Sequence, residues 1–301
     1  MLRIDDVSKS YGDKVAIRNI SFEVPKGSTF GLLGPNGAGK TSLIRIINQI
    51  QPADSGRVYF NNEPITEELV NQIGYLPEER GLYKKMKVGE QVLYLARLKG
   101  MNKTDAVREI KWWFDRLDMT DWWSRKVETL SKGMQQKVQF IATVLHKPSL
   151  IILDEPFSGF DPVNAEIVKN ELLRLREEGA TIMLSTHRME SVEELCDHIA
   201  MIHNSEKVLD GRIAHVKRDF RQNHFEVKYR GEKLNEVLPD FVQNLGESFD
   251  DEHEAHVLTL GLPSDEKCHE VLQFVMDQRR VIGFGEILPS IEEIFVKIAK
   301  S

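Results

Sequence analysis

Gly34-Pro35-Asn36-Gly37-Ala38-Gly39-Lys40-Thr41 is the stretch on which the reading of the chain turns. Before it lies a short apolar run, 29–33, and after it Leu43, Ile44, Ile46, Ile47 and Ile50 recur at helical spacing. Strand, glycine-rich turn and helix in that order make a phosphate-binding loop. Glycines let successive backbone N–H groups point inward around the phosphates, and a helix opening at Thr41 or Ser42 favours anions at its amino end. Lys40 adds a positive charge, and Thr41 offers its hydroxyl to magnesium. The candidate nucleotide contacts are therefore Gly34, Pro35, Asn36, Gly37, Ala38, Gly39, Lys40, Thr41 and Ser42.

Downstream, Ile151-Ile152-Leu153-Asp154-Glu155 is an apolar strand that ends in two carboxylates, at the edge where α/β sheets bind ligands. Asp154 can hold magnesium through water. Glu155, one residue further, can accept a proton from the water that attacks a terminal phosphate.

Around these motifs the chain alternates. The opening runs LRI, VAIRNI and FEV, broken by Tyr11-Gly12-Asp13, read as antiparallel strands. Residues 88–127 read as a helical insertion, and all four tryptophans, Trp112, Trp113, Trp122 and Trp123, fall in it as its expected small core. Apolar strands at 150–153, 181–185 and 199–202 then alternate with helices expected over 164–178 and 189–197, which implies a mainly parallel sheet with helices on its faces. The pattern breaks in a polar, basic segment at 215–223. It divides a domain at 1–214, with its insertion at about 88–129, from one at 215–301. In the second, HFEVKYR, EAHVLTL and VIGFGEI read as strands alternating with helices, a small α/β module, and the acidic 247–254 segment with His253 reads as a solvated loop.

Composition narrows the function classes. A net charge of -7 argues against a general nucleic-acid surface. The two cysteines, Cys196 and Cys268, lack metal-ligand spacing and read as buried apolar residues. No run approaches the ~18 apolar residues of a membrane span, so any membrane role falls to a partner chain.

Leu130-Ser131-Lys132-Gly133-Met134-Gln135-Gln136 resembles the signature sequence of ABC ATPases, and the resemblance covers Met1 to about Gly211. It implies a P-loop fold of the ABC type: a mainly parallel sheet, an antiparallel β-subdomain and a helical insertion. It also implies ATP and Mg2+ as ligands, with Tyr11 stacking on adenine and Lys40, Glu155 and His187 as catalytic residues. By the same resemblance Thr41, Asp154 and Glu78 would hold the metal, and Ser131 and Gly133 would contact the γ-phosphate bound to an opposite protomer. Asp161 matches the loop linking the two sites, so a second ATPase subunit, identical or not, is required.

Two departures from the family pattern bear on mechanism. Glu78 stands where the family has glutamine, adding negative charge beside phosphate, with Arg80 near enough in sequence to offset it. Lys132 and Met134 replace a glycine and a glutamine. The ending Leu288-Pro289-Ser290-Ile291-Glu292-Glu293-Ile294-Phe295 resembles ATPases of ABC-2-type exporters, which implies a membrane permease partner, export, and a cytoplasmic position on the inner face of the membrane. The alternative is a soluble ABC ATPase acting as an adaptor.

Overall fold

A computed structural model describes residues 2–79, 81–235 and 237–300. They form two compact units, Met1–Ile213 and Ala214–Ser301.

The first unit opens with the hairpin β1 (Leu2–Tyr11) and β2 (Lys14–Val24), followed by β3 (Thr29–Leu33) and α1 (Lys40–Ile47). Next come β4 (Ser55–Phe60), β5 (Glu63–Pro64), α2 (Glu67–Val70) and β6 (Ile73–Leu76). Three helices follow, α3 (Val88–Leu98), α4 (Lys103–Arg116) and α5 (Lys132–Val144), then β7 (Leu150–Asp154), α6 (Pro162–Glu177), β8 (Thr181–Thr186), α7 (Met189–Leu195), β9 (His198–His203) and β10 (Glu206–Arg212).

These strands make two sheets. One, in the order β2-β1-β4-β5, is antiparallel; in the other, β10-β9-β3-β8-β7-β6, all neighbours are parallel except β10 with β9. Strands β3, β7 and β8 are buried along their whole length, as strands covered on both faces must be. Helix α1 places Leu43, Ile44, Ile46 and Ile47 in one core with Leu2, Ile4 and Ile17 of the first sheet and Leu32, Ile152 and Met183 of the second. Each such side chain contributes about 1.5–3 kcal/mol on burial. That shared core holds the amino end of α1 still against both sheets.

The tryptophans divide differently from the expectation. Trp113 is buried, edge-on to Phe140 at 5.7 Å, and Trp123 meets Phe114 at 6.0 Å. Trp112 stays 44% exposed, because its ring instead carries the guanidinium groups of Arg116 and Arg174 at 5.3 and 5.0 Å. The same two arginines bracket the buried Glu171 carboxylate at 2.7 and 2.9 Å, tying α4 to α6.

Beyond α5, burial pushes the His146 imidazole down to about 4, with the Lys99 ammonium acting in the same direction. A base whose folded pKa is depressed takes its proton first in the unfolded chain. Between pH 6.5 and about 4 the unfolded state therefore holds more protons, and stability falls as pH is lowered through that window. The expected loss is roughly 2 kcal/mol by pH 5. Urea unfolding at pH 7 and pH 5 tests this: His146→Leu should be the less pH-sensitive chain, and equal slopes would count against it.

Across the boundary runs α8 (Ile213–Asp219), then β11 (His224–Arg230), β12 (Gln243–Asp250), β13 (Ala255–Gly261), α9 (Cys268–Met276), β14 (Arg280–Ile287) and α10 (Ile291–Lys300). The second unit is an antiparallel sheet in the order β12-β13-β11-β14. Phe225, Val227 and Tyr229 alternate on β11, join Leu258 and Leu260 of β13, and are covered by Val271 and Val275 of α9. Strict alternation of strand and helix does not hold here. Residues 243–250 form an edge strand, so the acidic segment read as a loop enters the ladder through 247–250, and only 251–254 form a turn. Glu247 is drawn in by its partners: it accepts from Tyr229 Oη at 2.7 Å and pairs with Lys233 at 2.9 Å. Cys196 is buried, Cys268 half-buried, and both are free thiols.

Candidate functional site

The carboxyl end of β3 runs straight into the glycine loop. At Gly34, φ is +148°, and a Cβ there would lie 2.2 Å from the Ile202 carbonyl oxygen. At Gly39, φ is +113°, and a Cβ would lie 2.3 Å from the Ala16 carbonyl oxygen, so the loop can sit against β2 and β9 only with glycine at both positions. Gly39 is the residue before α1 and turns the chain into the helix in the left-handed region.

A cavity of about 360 Å³ opens over this loop. Asn36, Gly37, Gly39, Lys40, Thr41 and Ser42 line it from the loop and α1, Tyr11 from the hairpin, Glu78 from the segment after β6, and Asp154 and Glu155 from the end of β7. Gly34, Pro35 and Ala38 do not line it. Gly34 and Pro35 instead supply the carbonyl oxygens that the Lys40 ammonium donates to, at 2.8 and 3.1 Å, and Ala38 is buried with its N–H on the Pro35 carbonyl.

Charge in the cavity is unbalanced. Burial lowers the Lys40 pKa, opposed by the carboxylates of Glu155, Asp154 and Glu78 around it. Burial raises that of Asp154, and the nearby Glu155 charge adds to this, while the Thr41 hydroxyl and Lys40 work the other way. Thr41 Oγ1 donates to Asp154 Oδ2 at 3.1 Å. Three carboxylates around the Lys40 ammonium, with a hydroxyl beside the deepest of them, form a hard-oxygen, anionic donor set that suits a magnesium ion sharing its shell with phosphates and water.

Glu155 leaves β7 with φ of +50°, uncommon for a residue with a side chain, and its N–H donates to the Ser185 carbonyl at 2.8 Å. Its carboxylate is turned toward the end of β8. The His187 backbone N–H donates to Oε1 at 3.0 Å, the imidazole Nδ1 lies 2.7 Å from the same oxygen, and Thr186 Oγ1 donates to Oε2 at 3.2 Å. His187 thus stands outside the cavity wall and reaches it through Glu155.

Ser131 and Gly133 also stand outside the wall. Ser131 caps α5, its hydroxyl accepting from the Met134 N–H at 3.2 Å, and is exposed together with Lys132. A Cβ on Gly133 would come no closer than 3.4 Å to the Gly159 carbonyl, so neither crowding nor backbone conformation demands glycine there. Asp161 caps α6 through the Asn164 N–H at 2.9 Å. Arg80, expected near Glu78, lies outside the described residues.

Lys14 and Ala16 also line the cavity and were not anticipated from sequence. They sit just past the Gly12-Asp13 turn, where only the return of β2 beside the loop brings them to the wall. The Tyr11 ring is 42% exposed and its hydroxyl donates to Gln51.

Comparison with known proteins points one way. The profile of the ABC transporter family matches residues 17–158, and that of the C-terminal domain of ATP-binding proteins like DrrA1-3 matches residues 211–299. The chain is 40% identical over 297 residues to the ABC transporter ATP-binding protein YhaQ of Bacillus subtilis, covering 99% of this chain and 98% of that one. It is 34% identical over 214 residues to Nod factor export ATP-binding protein I of Sinorhizobium fredii, covering 70% and 62%. A solved structure of the ATP-binding subunit of an ABC transporter superposes with a TM-score of 0.69 at 28% identity, covering 73% of this chain and 93% of that one.

Proposed function

Because this chain belongs to the ABC transporter family of ATP-binding subunits, and is an ATPase by that membership, we propose that two ATPase chains close on ATP between them and drive a separate membrane-spanning partner, in export. The observation that carries this reading is the single cavity gathering the glycine loop, Asp154, Glu155 and Glu78. Within it, Lys40, the loop N–H groups and Tyr11 bind the nucleotide, and Glu155, oriented by His187, takes a proton from the attacking water. Thr41, Asp154 and Glu78 are the residues that would hold magnesium, which when bound neutralises phosphate charge and polarises the terminal phosphoryl group.

Ser131 and Gly133 lie outside the cavity of their own chain, Ser131 exposed and Gly133 half-buried beside it, where they can serve a nucleotide held by another chain. The amino end of α5 adds its dipole there.

Glu78 is the charge that distinguishes this site. Its carboxylate stands among those facing Lys40 and any bound phosphate. Glu78→Gln is expected to tighten binding of magnesium-free ATP about two- to fivefold, the effect of removing one like charge in a largely aqueous setting. Titration with ATP tests this, and unchanged or weaker binding would count against it.

The partner's site is an apolar groove of about 350 Å³ lined by Pro77, Leu82, Leu95, Leu98 and Ala142. Leu98 is 61% exposed there and lines the groove together with Leu82 and Leu95, a cluster rather than a lone surface leucine. Pro77 lines the groove and Glu78, its neighbour, lines the nucleotide cavity, so an occupant of the one is felt in the other. Among the described residues no helix is long and apolar enough to cross a membrane, and the spans fall to the partner. The export direction draws on the relative named for Nod factor export and on the DrrA1-3-like second unit. The test is purification from detergent-solubilised membranes. The chain should bring down a multi-span protein, and Leu98→Asp should lose it while keeping basal ATPase activity; recovery of the chain alone in both cases would defeat the reading.

A further inference from the structure

The grip on Glu155 comes from two residues, and the sequence reading gave a role to only one of them, His187. His187 is half exposed and follows the end of β8, whereas Thr186 is the last residue of that strand and is buried, with 2% of its surface accessible. Its place is set by sheet register: Thr186 pairs with Leu33 of β3, immediately before Gly34, and Ser185 pairs with Asp154 of β7. One step beyond the Ser185–Asp154 pairing, the hydroxyl of Thr186 faces the carboxylate of Glu155.

The direction of that hydrogen bond is also set. The Arg188 N–H donates to Thr186 Oγ1 at 3.1 Å, which uses the oxygen as acceptor and leaves the hydroxyl proton for Glu155 Oε2 at 3.2 Å. The other carboxylate oxygen takes the His187 N–H at 3.0 Å. A threonine side chain is stiff at χ1, so a donor carried on a sheet strand holds its acceptor more firmly than one on a mobile ring. The Glu155 backbone itself sits in the left-handed region, with φ of +50°.

We propose that Thr186 is a positioning residue for hydrolysis, its hydroxyl holding Glu155 Oε2 so that the carboxylate stays turned toward the attacking water. This rests on Glu155 as the group that activates that water. In the step itself a water proton passes to the Glu155 carboxylate while the water oxygen bonds to the γ-phosphorus. The bond from that phosphorus to the β-bridging oxygen breaks, its electron pair leaves with ADP, and the proton is then released. Thr186 exchanges no atom; it narrows the orientations of the base. A carboxylate free to rotate spends less time aligned, which lowers kcat and leaves ATP binding alone.

The test uses the full chain with Thr186→Val, which keeps the shape and removes the donor, Thr186→Ser, which keeps the donor, and Glu155→Gln, alone and combined with Thr186→Val. Thr186→Val should lower kcat about tenfold with KM for ATP within about twofold, the loss of one hydrogen bond to a charged group. Thr186→Ser should restore turnover to within about threefold of the unaltered chain, as a donor on a looser side chain would. In single-turnover measurements the double variant should be no slower than Glu155→Gln alone. Unchanged kcat in Thr186→Val, equal impairment in Thr186→Ser, or a further loss in the double variant would each overturn the assignment. Normal turnover in Glu155→Gln alone would instead remove the reading on which it rests.

Discussion

Replacing Glu155 by glutamine should lower ATP turnover by about a hundred- to a thousandfold while ATP still binds, the range expected when a positioned base is removed. The side chain keeps its size, so β7 and β8 need not move. What changes is chemistry: an amide cannot take a proton from water. Its nitrogen must also avoid the N–H of His187, so it is left facing Thr186, and the hydroxyl that donates to Oε2 must turn. Removing one of three negative charges around Lys40 also favours the nucleotide, so the variant should hold ATP at least as well as the unaltered chain. Phosphate release and nucleotide binding measured on the same preparation check both halves. Turnover above a tenth of normal would sink the assignment.

The second large effect concerns sharing of sites between chains. Lys40→Ala removes the only ammonium among the residues lining the cavity other than Lys14 at its hairpin wall, together with the bonds that hold the Gly34 and Pro35 carbonyls. ATP affinity should fall by about tenfold to a hundredfold, the worth of charge-assisted hydrogen bonds, and hydrolysis with it. Ser131→Arg leaves the cavity of its own chain intact and blocks the exposed amino end of α5. At limiting ATP each variant alone should retain at most about a tenth of normal activity. Mixed in equal amounts they should recover activity, because the pair formed by one of each has one site whose loop and signature residues are both unaltered. Random pairing of a symmetric dimer limits the recovery to about a quarter of normal. A mixture no more active than its components would show that the sites are not shared between copies of this chain.

That Glu155 and Lys40 could be singled out as candidates before any fold was known is a matter of locality. The loop's shape depends on glycines that alone tolerate φ of +148° and +113°, and on a helix that begins where they end. The acidic pair ends a run of five buried strand residues. Such requirements are written into adjacent positions. Ser131 was legible only through the resemblance of residues 130–136 to a family signature; its capping of α5, accepting from the Met134 N–H, is what the structure adds.

Other features depend on partners far along the chain. Thr186 reads as an ordinary strand end until the parallel register of β3, β7 and β8 brings its hydroxyl to Glu155, 31 residues away. Lys14 and Ala16 reach the cavity wall because β2 returns beside the loop. Trp112 is left exposed because two arginines, one of them on α6, take its ring. In the second unit, a polar and acidic stretch becomes β12 because β13 offers it a free edge and Tyr229 and Lys233 hold Glu247. By itself the sequence determined the glycine-rich loop, the strand that ends in the two carboxylates and the alternation of the first unit, since each rests on local backbone preference and hydrophobic period, whereas the signature segment was read from a family resemblance. Only the tertiary structure decided which side chains grip Glu155, what completes the cavity wall and how the second sheet is ordered, because strand register and crossover choose contacts that no neighbouring residue specifies.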